Sequence, residues 1–340
     1  MELGLCVLTP DLRTTTELAE LAEEAGIGWF GMCDSPYLYV DVHQAMAAAL
    51  EASERMRVGS FVTNPVTRHW SVQAAGFRAL QERDGERVFC GIGPGDSAVH
   101  SVGLKPARIS ELAAYTGKVR THAGEGLEVM VAAGGPKGVA AAAGYADHLV
   151  LGQGVSPEPI GLLRTAAEAG AARAGHASLP ELWLFLILHL AASEAEVEAV
   201  RADVRSPVVS YSRQALDHSF EGKAVPERLQ APLRELYAGF SFEDYSRTGA
   251  SANARLLATA GNGEVEPFLF DRFALVDTPE RVAERLWEIQ RSCGVAGVFM
   301  SVVSSDTPGL LRLLGERMVP RLAELEALVE QPPPADGAAA

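Results

Sequence analysis

A short apolar run, a stop bearing glycine or proline, and a helix-period segment recur along this chain at intervals of roughly thirty residues. Leu3–Leu8, Gly28–Cys33, Arg57–Val62 and Val88–Ile92 are the first four runs. They stop at Thr9-Pro10, at Asp34-Ser35-Pro36, at Thr63–His69 and at the loop Gly91–Asp96. Between them, segments starting at Thr14 and spanning Val42–Arg55 and Ser71–Arg83 carry the helical period, the first opening on a Thr14-x-x-Glu17 capping box. The alternation predicts a parallel sheet with helical crossovers.

The pattern continues. A helix over Ala107–His122 precedes a fifth strand at Gly126–Ala132, and a short alanine helix precedes a sixth at His148–Leu151. After a helix at Pro159–Ala174, Leu182–Leu190 reads as a seventh strand or a buried helix. The helix Pro279–Ser292 leads to an eighth strand, Gly297–Ser301, and a last helix runs to about Glu330. Eight such units close more naturally as a (β/α)8 TIM barrel than as an open sheet. Residues 1–330 are expected to form one barrel domain, with 194–267 inserted between strands seven and eight. An insertion of that length reads as a lid over a ligand or as a subunit contact. The low-complexity tail 331–340 is expected to be disordered.

Composition narrows the partners. The chain has 44 acidic against 29 basic residues, a formal net charge of -15, which argues against nucleic acid and anionic membrane surfaces. It leaves room for an anionic cofactor, which a few local cations and backbone N–H groups can hold. Cys6, Cys33, Cys90 and Cys293 lie in or beside apolar runs without a Cys-x-x-Cys pair, so they read as buried reduced thiols. The N-terminus shows no basic segment of a secretory signal, and the apolar run Leu182–Ala192 is too short to span a membrane. A cytoplasmic protein is expected.

The strand ends carry the candidate chemistry. Gly91-Ile-Gly-Pro-Gly-Asp96 lets bare backbone approach a ligand at Gly93 and Gly95, with Asp96 and Ser97 beside it. The plainer reading is a strand-to-helix turn with Asp96 as helix cap. Gly134-Gly135 and Gly152-Gln153-Gly154 follow neighbouring strands, and their N–H groups are expected to nest a phosphate, with Lys137 adding charge or simply solvated. Asp34 and Asp96, both at strand ends, are candidate acids or bases, or hydrogen-bonding and capping residues. His69 is a candidate proton donor, or a helix cap. Tyr37 and Tyr39 are candidates for the substrate side. No His/Asp/Glu spacing suggests a metal, and no Gly-x-Ser-x-Gly elbow suggests a hydrolase.

Val62-Thr-Asn-Pro-Val-Thr-Arg-His69, Gly91–Asp96 and Ala132-Ala-Gly-Gly-Pro-Lys137, in this order on successive strands, resemble the bacterial luciferase-like flavin oxidoreductases. Within them the chain looks most like the branch that uses the deazaflavin coenzyme F420, which includes methylenetetrahydromethanopterin reductase. The resemblance covers most of residues 1–155 and fades until about 265. It implies a TIM barrel of the luciferase-like type, with coenzyme F420 (or FMN) at the C-terminal strand ends and a small-molecule substrate at the ring face. It also implies a bulge at Phe61-Val62, often with a non-proline cis peptide, behind the ring, with Thr63 and Asn64 at the ring's polar edge. Hydride exchange is the expected activity. The alternatives are an FMN-dependent monooxygenase served by a flavin reductase, and a non-catalytic flavin-binding relative. Relatives commonly dimerise through the early helices, so a homodimer is expected. Two departures stand out: Ser35 where the family often has histidine, and a short segment from Ala107 to Gly126 that is expected to thin the barrel wall.

Overall fold

The computed structural model describes residues 1–330, so the expectation for the tail 331–340 lies outside the described residues. Nine parallel strands form: β1 (Glu2–Val7), β2 (Trp29–Met32), β3 (Arg57–Thr63), β4 (Val88–Ile92), β5 (Glu128–Ala133), β6 (His148–Leu151), β7 (Glu181–Leu190), β8 (Ala274–Asp277) and β9 (Gly297–Val302). Eight of them close a ring in the order β1 to β7 and then β9, which pairs back onto β1. The fold is the (β/α)8 barrel that the alternation predicted. The seventh run, open between strand and helix, is a strand.

One strand, β8, was not anticipated. The first half of β7 pairs with β6 from His148↔Glu181 to Leu151↔Leu184. Its second half outruns β6, and β8 takes that free edge from Ile187↔Ala274 to Leu190↔Asp277. A long strand beside a short one leaves backbone donors and acceptors that need partners, and β8 supplies them.

One side chain from each ring strand fills the barrel: Cys6, Trp29, Phe61, Phe89, Met130, Val150, Trp183 and Phe299. Bulky rings fit because small residues face them. A Cβ on Gly297 would come within 2.5 Å of the Trp183 ring, and one on Gly31 within 2.4 Å of Phe61 Cβ. A second, larger apolar layer lies between strands and helices and includes Leu5, Phe30, Met46, Phe77, Val131 and Leu286.

Three local expectations change. The first helix spans Leu12–Glu24 and is capped by Asp11, whose carboxylate accepts from the Thr14 N–H at 2.8 Å. A carboxylate is the better partner for orphan N–H groups, so the helix starts earlier than the Thr14 signal implied. The wall near Ala107–Gly126 is intact. β4 and β5 pair from Phe89↔Glu128 to Ile92↔Val131, and the helix Ile109–Ala123 packs on the helix Trp70–Asp84. The insertion is mostly helical, with helices at Val197–Asp203, Arg205–Leu216, Glu227–Ala238, Ala252–Thr259 and Val265–Phe273 joined by loops. Its periodicity was masked by Pro232 inside one helix and by the left-handed pair Gly261-Asn262 between two others. These helices bury their own cluster, including Val208, Leu233, Leu257 and Leu269, with Ile187 of β7 joining it. Among the described residues, no helix is long and apolar enough to cross a membrane.

Candidate active site at the barrel mouth

The C-terminal strand ends and the insertion enclose a cavity of about 260 Å³. Its rear wall is β3. The Phe61-Val62 peptide is cis, and the pairing of β3 with β4 slips between Ser60 and Thr63, so the bulge expected there is present. The Phe61 ring stacks on Phe299 with centroids 4.0 Å apart, which fixes the wall from behind. Val62, Gly93, Pro94 and Gly95 border the opening in front of it. A Cβ on Gly93 would lie 3.0 Å from Val62 Cγ2, so a side chain here would push on the bulge. The insertion supplies Ser210, Tyr211, Tyr245 and Ser246 on the opposite side.

Most of the sequence candidates converge on this cavity. Asp34, Phe61, Val62, Asn64, Gly93, Gly95, Asp96, Gly134 and Gly152 line it. Their polar groups are less available than the sequence suggested. Asp34 is 2% exposed and accepts from Thr63 Oγ1 at 2.7 Å and from Arg68 Nε at 2.9 Å. Thr63 is thereby turned onto Asp34 and away from the cavity. The Asn64 side-chain carbonyl accepts from the Val66 and Thr67 N–H groups, both at 2.9 Å, so its amide shapes the loop. Asp96 is partly open and lies 3.2 Å from Arg213 Nη2. The Arg213 guanidinium sits 4.9 Å from the Phe240 ring and 4.8 Å from the Phe242 ring, tying the insertion to the rim.

Five further candidates lie outside the lining. His69 is exposed and caps the helix Trp70–Asp84, with its Nδ1 2.8 Å from Ser71 Oγ, so the capping alternative holds. Gly154 faces Arg272: φ is +79°, and a Cβ would lie 1.9 Å from the Arg272 carbonyl oxygen. Gln153 is buried behind the rim, with its Nε2 donating to Ala215 O at 2.9 Å and its Oε1 accepting from Arg272 Nη2 at 2.7 Å. Gly135 is outside the cavity lining but open, with nothing within 4 Å of the Cβ direction. Tyr37 is solvent-exposed.

Sequence reasoning missed a pair of cations beside Gly134-Gly135. Lys223 is 8% exposed and Arg272 2%, and neither has a carboxylate partner among the described residues. Lys223 Nζ donates to Ala215 O at 2.6 Å, the carbonyl that Gln153 also uses. Gly222 brings this loop against Pro136, which follows Gly135. Burial pushes the Lys223 ammonium down to about 8, with Arg272 adding to the effect, and pushes Arg272 itself down to about 10. Burial likewise pushes the Tyr211 and Tyr245 phenols up, so both stay protonated. Cys6 and Cys33 were read as buried reduced thiols, yet Cys33 is only half-buried and both line the cavity, with sulfurs 3.8 Å apart.

A family model described as luciferase-like monooxygenase matches residues 2–114 and 105–296. The chain belongs to the luciferase-like family. This luciferase-like protein is 26% identical over 353 residues to the 5,10-methylenetetrahydromethanopterin reductase of Methanopyrus kandleri, covering 93% of this chain and 97% of the relative. The coenzyme F420-dependent tetrahydromethanopterin reductase structure from Methanopyrus kandleri superimposes with a TM-score of 0.74 at 16% identity, over 94% of this chain and 99% of that one. An F420-dependent secondary alcohol dehydrogenase follows at 0.68 and 16%, over 94% and 98%. The EDTA monooxygenase of Chelativorans sp. BNC1 gives 0.65 at 15%, over 98% and 95%. Reductases and monooxygenases stand together among the relatives of this luciferase-like chain, which places it with the oxidoreductases. The luciferase-like barrel type expected from the strand-end motifs is the one observed.

Proposed function

We propose that this protein binds a deazaflavin, coenzyme F420, across the barrel mouth and exchanges hydride between it and a small organic substrate. One observation carries the reading. A largely apolar opening between the Phe61-Val62 bulge and the Gly93–Gly95 loop reaches Gly134 and Gly152. Lys223 and Arg272 lie behind that end, outside the lining, joined to it through Ala215 and Gln153. A planar ring fits such an opening, and a phosphate fits the glycine-bearing end, with Lys223 and Arg272 behind it. The residues present therefore suit a flavin-type group. Val62 and Gly93 would hold the ring; Gly134, Gly135 and Lys223 would hold the phosphate.

When bound, the cofactor supplies the hydride chemistry. The chain's own residues do the rest. Phe61 on Phe299 keeps the rear wall flat, and Arg68 keeps Asp34 from moving. Tyr245 and Ser246 close the substrate side and exclude water. A second reading, FMN with oxygen and a partner reductase, draws support from the monooxygenase description of the family model.

Titration of the purified protein with coenzyme F420 and with FMN, followed by difference absorbance, tests both. Binding of the deazaflavin and oxygen-independent turnover support the first reading. Preferential FMN binding with oxygen-dependent turnover selects the second. A cofactor held tightly with no turnover of any substrate supplied would point to a binding relative, and binding of neither would end the proposal.

A further inference from the structure

Six ionisable side chains line the cavity: Cys6, Cys33, Asp34, Asp96, Tyr211 and Tyr245. A substrate that gains or loses hydride at carbon commonly exchanges a proton at the attached heteroatom, so one of these groups has a role to fill. Geometry disposes of most of them. Asp34 is held by Arg68 and Thr63, and Asp96 by Arg213. Tyr211 donates its hydroxyl to the Phe185 carbonyl at 2.9 Å and is fully occupied. Tyr245 is half-buried, and desolvation holds it in the phenol form. Cys6 lies deep in the barrel, 3.8 Å from the Phe61 carbonyl.

Cys33 differs from all of these. It stands just past the end of β2, is partly exposed to the cavity, and has no ion pair among the described residues. Among the described residues its side chain has one hydrogen-bonding contact, with the Cys6 sulfur at 3.8 Å, across the β1–β2 pair. A disulfide is a poor account of this pair. Cys6 lies opposite Gly31, so Cys33 is two positions further along the neighbouring strand. Strand spacing and rise then put the two Cα atoms about 8 Å apart, beyond the roughly 7 Å that a disulfide tolerates. A thiol that donates to a neighbouring thiolate requires no such approach. Either sulfur can donate across this contact, and Cys6 Sγ also lies within reach of the Phe61 carbonyl. The contact with Cys33 and burial push the Cys6 thiol up, so Cys6 keeps its proton and can turn it toward a Cys33 thiolate.

From this arrangement we infer that Cys33 is the proton-transfer group of the cavity and that Cys6 is its positioning residue. The inference rests on the oxidoreductase reading above. In the reducing direction the Cys33 S–H bond breaks as an O–H or N–H bond forms on the substrate. The hydride comes from the flavin-type cofactor, and the resulting thiolate accepts the Cys6 S–H before it is reprotonated from water. The groups facing Cys33 are Cys6 from β1, Tyr39 from the loop after β2 and Tyr245 from the insertion, with Asp34 adjacent in sequence and pinned by Arg68. Both phenols are pushed up by burial, so neither competes for the proton at neutral pH. A thiol gives up and takes back a proton far more readily than the Ser35 hydroxyl beside it.

The test begins on the cofactor-free full chain. Iodoacetamide labelling of each cysteine, read by peptide mass spectrometry as a function of pH, gives the ionisation midpoint of Cys33. Cys33 is expected to label fastest of the four, to be protected by added coenzyme F420, and to ionise at higher pH in Cys6→Ala, with Cys6→Ser recovering part of the shift. In a second arm, oxidised coenzyme F420 and 2-propanol serve as probes of turnover. Cys33→Ala is expected to lower kcat by about 100-fold or more at unchanged cofactor affinity, and Cys6→Ala to move the pH profile. A Cys33 midpoint identical in the parent and in Cys6→Ala would overturn the inference, as would a Cys33→Ala variant with the parent rate and profile. A parent that binds neither F420 nor FMN would instead remove the oxidoreductase reading, while the labelling arm still decides whether the thiols act as a pair.

Discussion

The guanidinium of Arg68 grips the carboxylate of Asp34 at two points, Nε 2.9 Å from Oδ2 and Nη2 3.1 Å from Oδ1. Asp34 ends the run that begins at β2, and Arg68 lies in the loop after β3, so the pair fastens two adjacent strand ends. Arg68 also reaches Asp41 at 2.9 Å, and its backbone carbonyl accepts from the Tyr115 hydroxyl at 3.0 Å. Arg68→Met would leave the Asp34 carboxylate buried with only Thr63. Loss of one partner of a buried pair costs about 3–5 kcal/mol. Urea denaturation is expected to show a loss of that order for Arg68→Met and a smaller one for Asp34→Asn, which leaves Arg68 its bond to Asp41. A loss below about 1 kcal/mol for Arg68→Met would mean that the pair is solvated in solution.

Two glycines that look alike in sequence are expected to behave differently. Gly154 has φ +79° and no room for a Cβ against the Arg272 carbonyl, whereas Gly135 has φ −134° and open space. Gly154→Ala should destabilise the fold by about 1–3 kcal/mol from backbone strain alone, with the clash adding to it. Gly135→Ala should leave thermal stability unchanged and weaken binding of a phosphate-bearing cofactor. Melting curves and F420 titrations of the two variants separate the roles. Equal melting temperatures for Gly154→Ala and the parent would contradict the first expectation, and unaltered affinity in Gly135→Ala the second.

Arg213 joins the insertion to the rim through Asp96, with Phe240 and Phe242 against its guanidinium. Arg213→Met keeps much of the apolar stem and removes both the ion pair and the cation–π contacts. The insertion segment around Phe240–Tyr245 is then expected to be cleaved faster by limited proteolysis, with cofactor affinity reduced several-fold and global stability lowered only modestly. Unchanged cleavage would show that the apolar cluster around Leu233 and Leu257 holds the segment by itself.

The barrel was legible because its units are local. Each strand–stop–helix unit carries its own period, and eight of them admit few closures. The rear wall was legible through the resemblance of Val62–His69, and the cis peptide at Phe61-Val62 lies where that likeness put it. The polar edges were not legible. Asp34 and Asn64 line the mouth and Thr63 lies behind it, and all three spend their hydrogen bonds on one another and on the loop, a matter of rotamer and partner that spacing does not encode. Lys223 and Arg272 come from an insertion whose path over the rim no local pattern specifies. The closeness of Cys6 and Cys33 follows from strand register together with inward parity, a signal available only once β1 and β2 are known to pair.

The Lys223 ammonium yields a prediction with a definite sign. Its pKa is held down to about 8 in the fold by burial, against 10.5 for a free lysine. Between those values the unfolded chain binds more protons than the folded one, so stability of the ligand-free protein should rise with pH across that window. An anion at Gly134-Gly135 reverses the preference, because it favours the charged ammonium. Binding should then take up a proton, and affinity for coenzyme F420 should fall as pH climbs past about 8. Calorimetric titrations in buffers of different ionisation enthalpy measure the proton uptake directly. Lys223→Met is expected to abolish both the uptake and the alkaline fall, and to weaken binding by about tenfold at neutral pH. If the parent takes up no proton on binding F420 near pH 9, Lys223 faces no anion, and the phosphate must lie elsewhere on the rim.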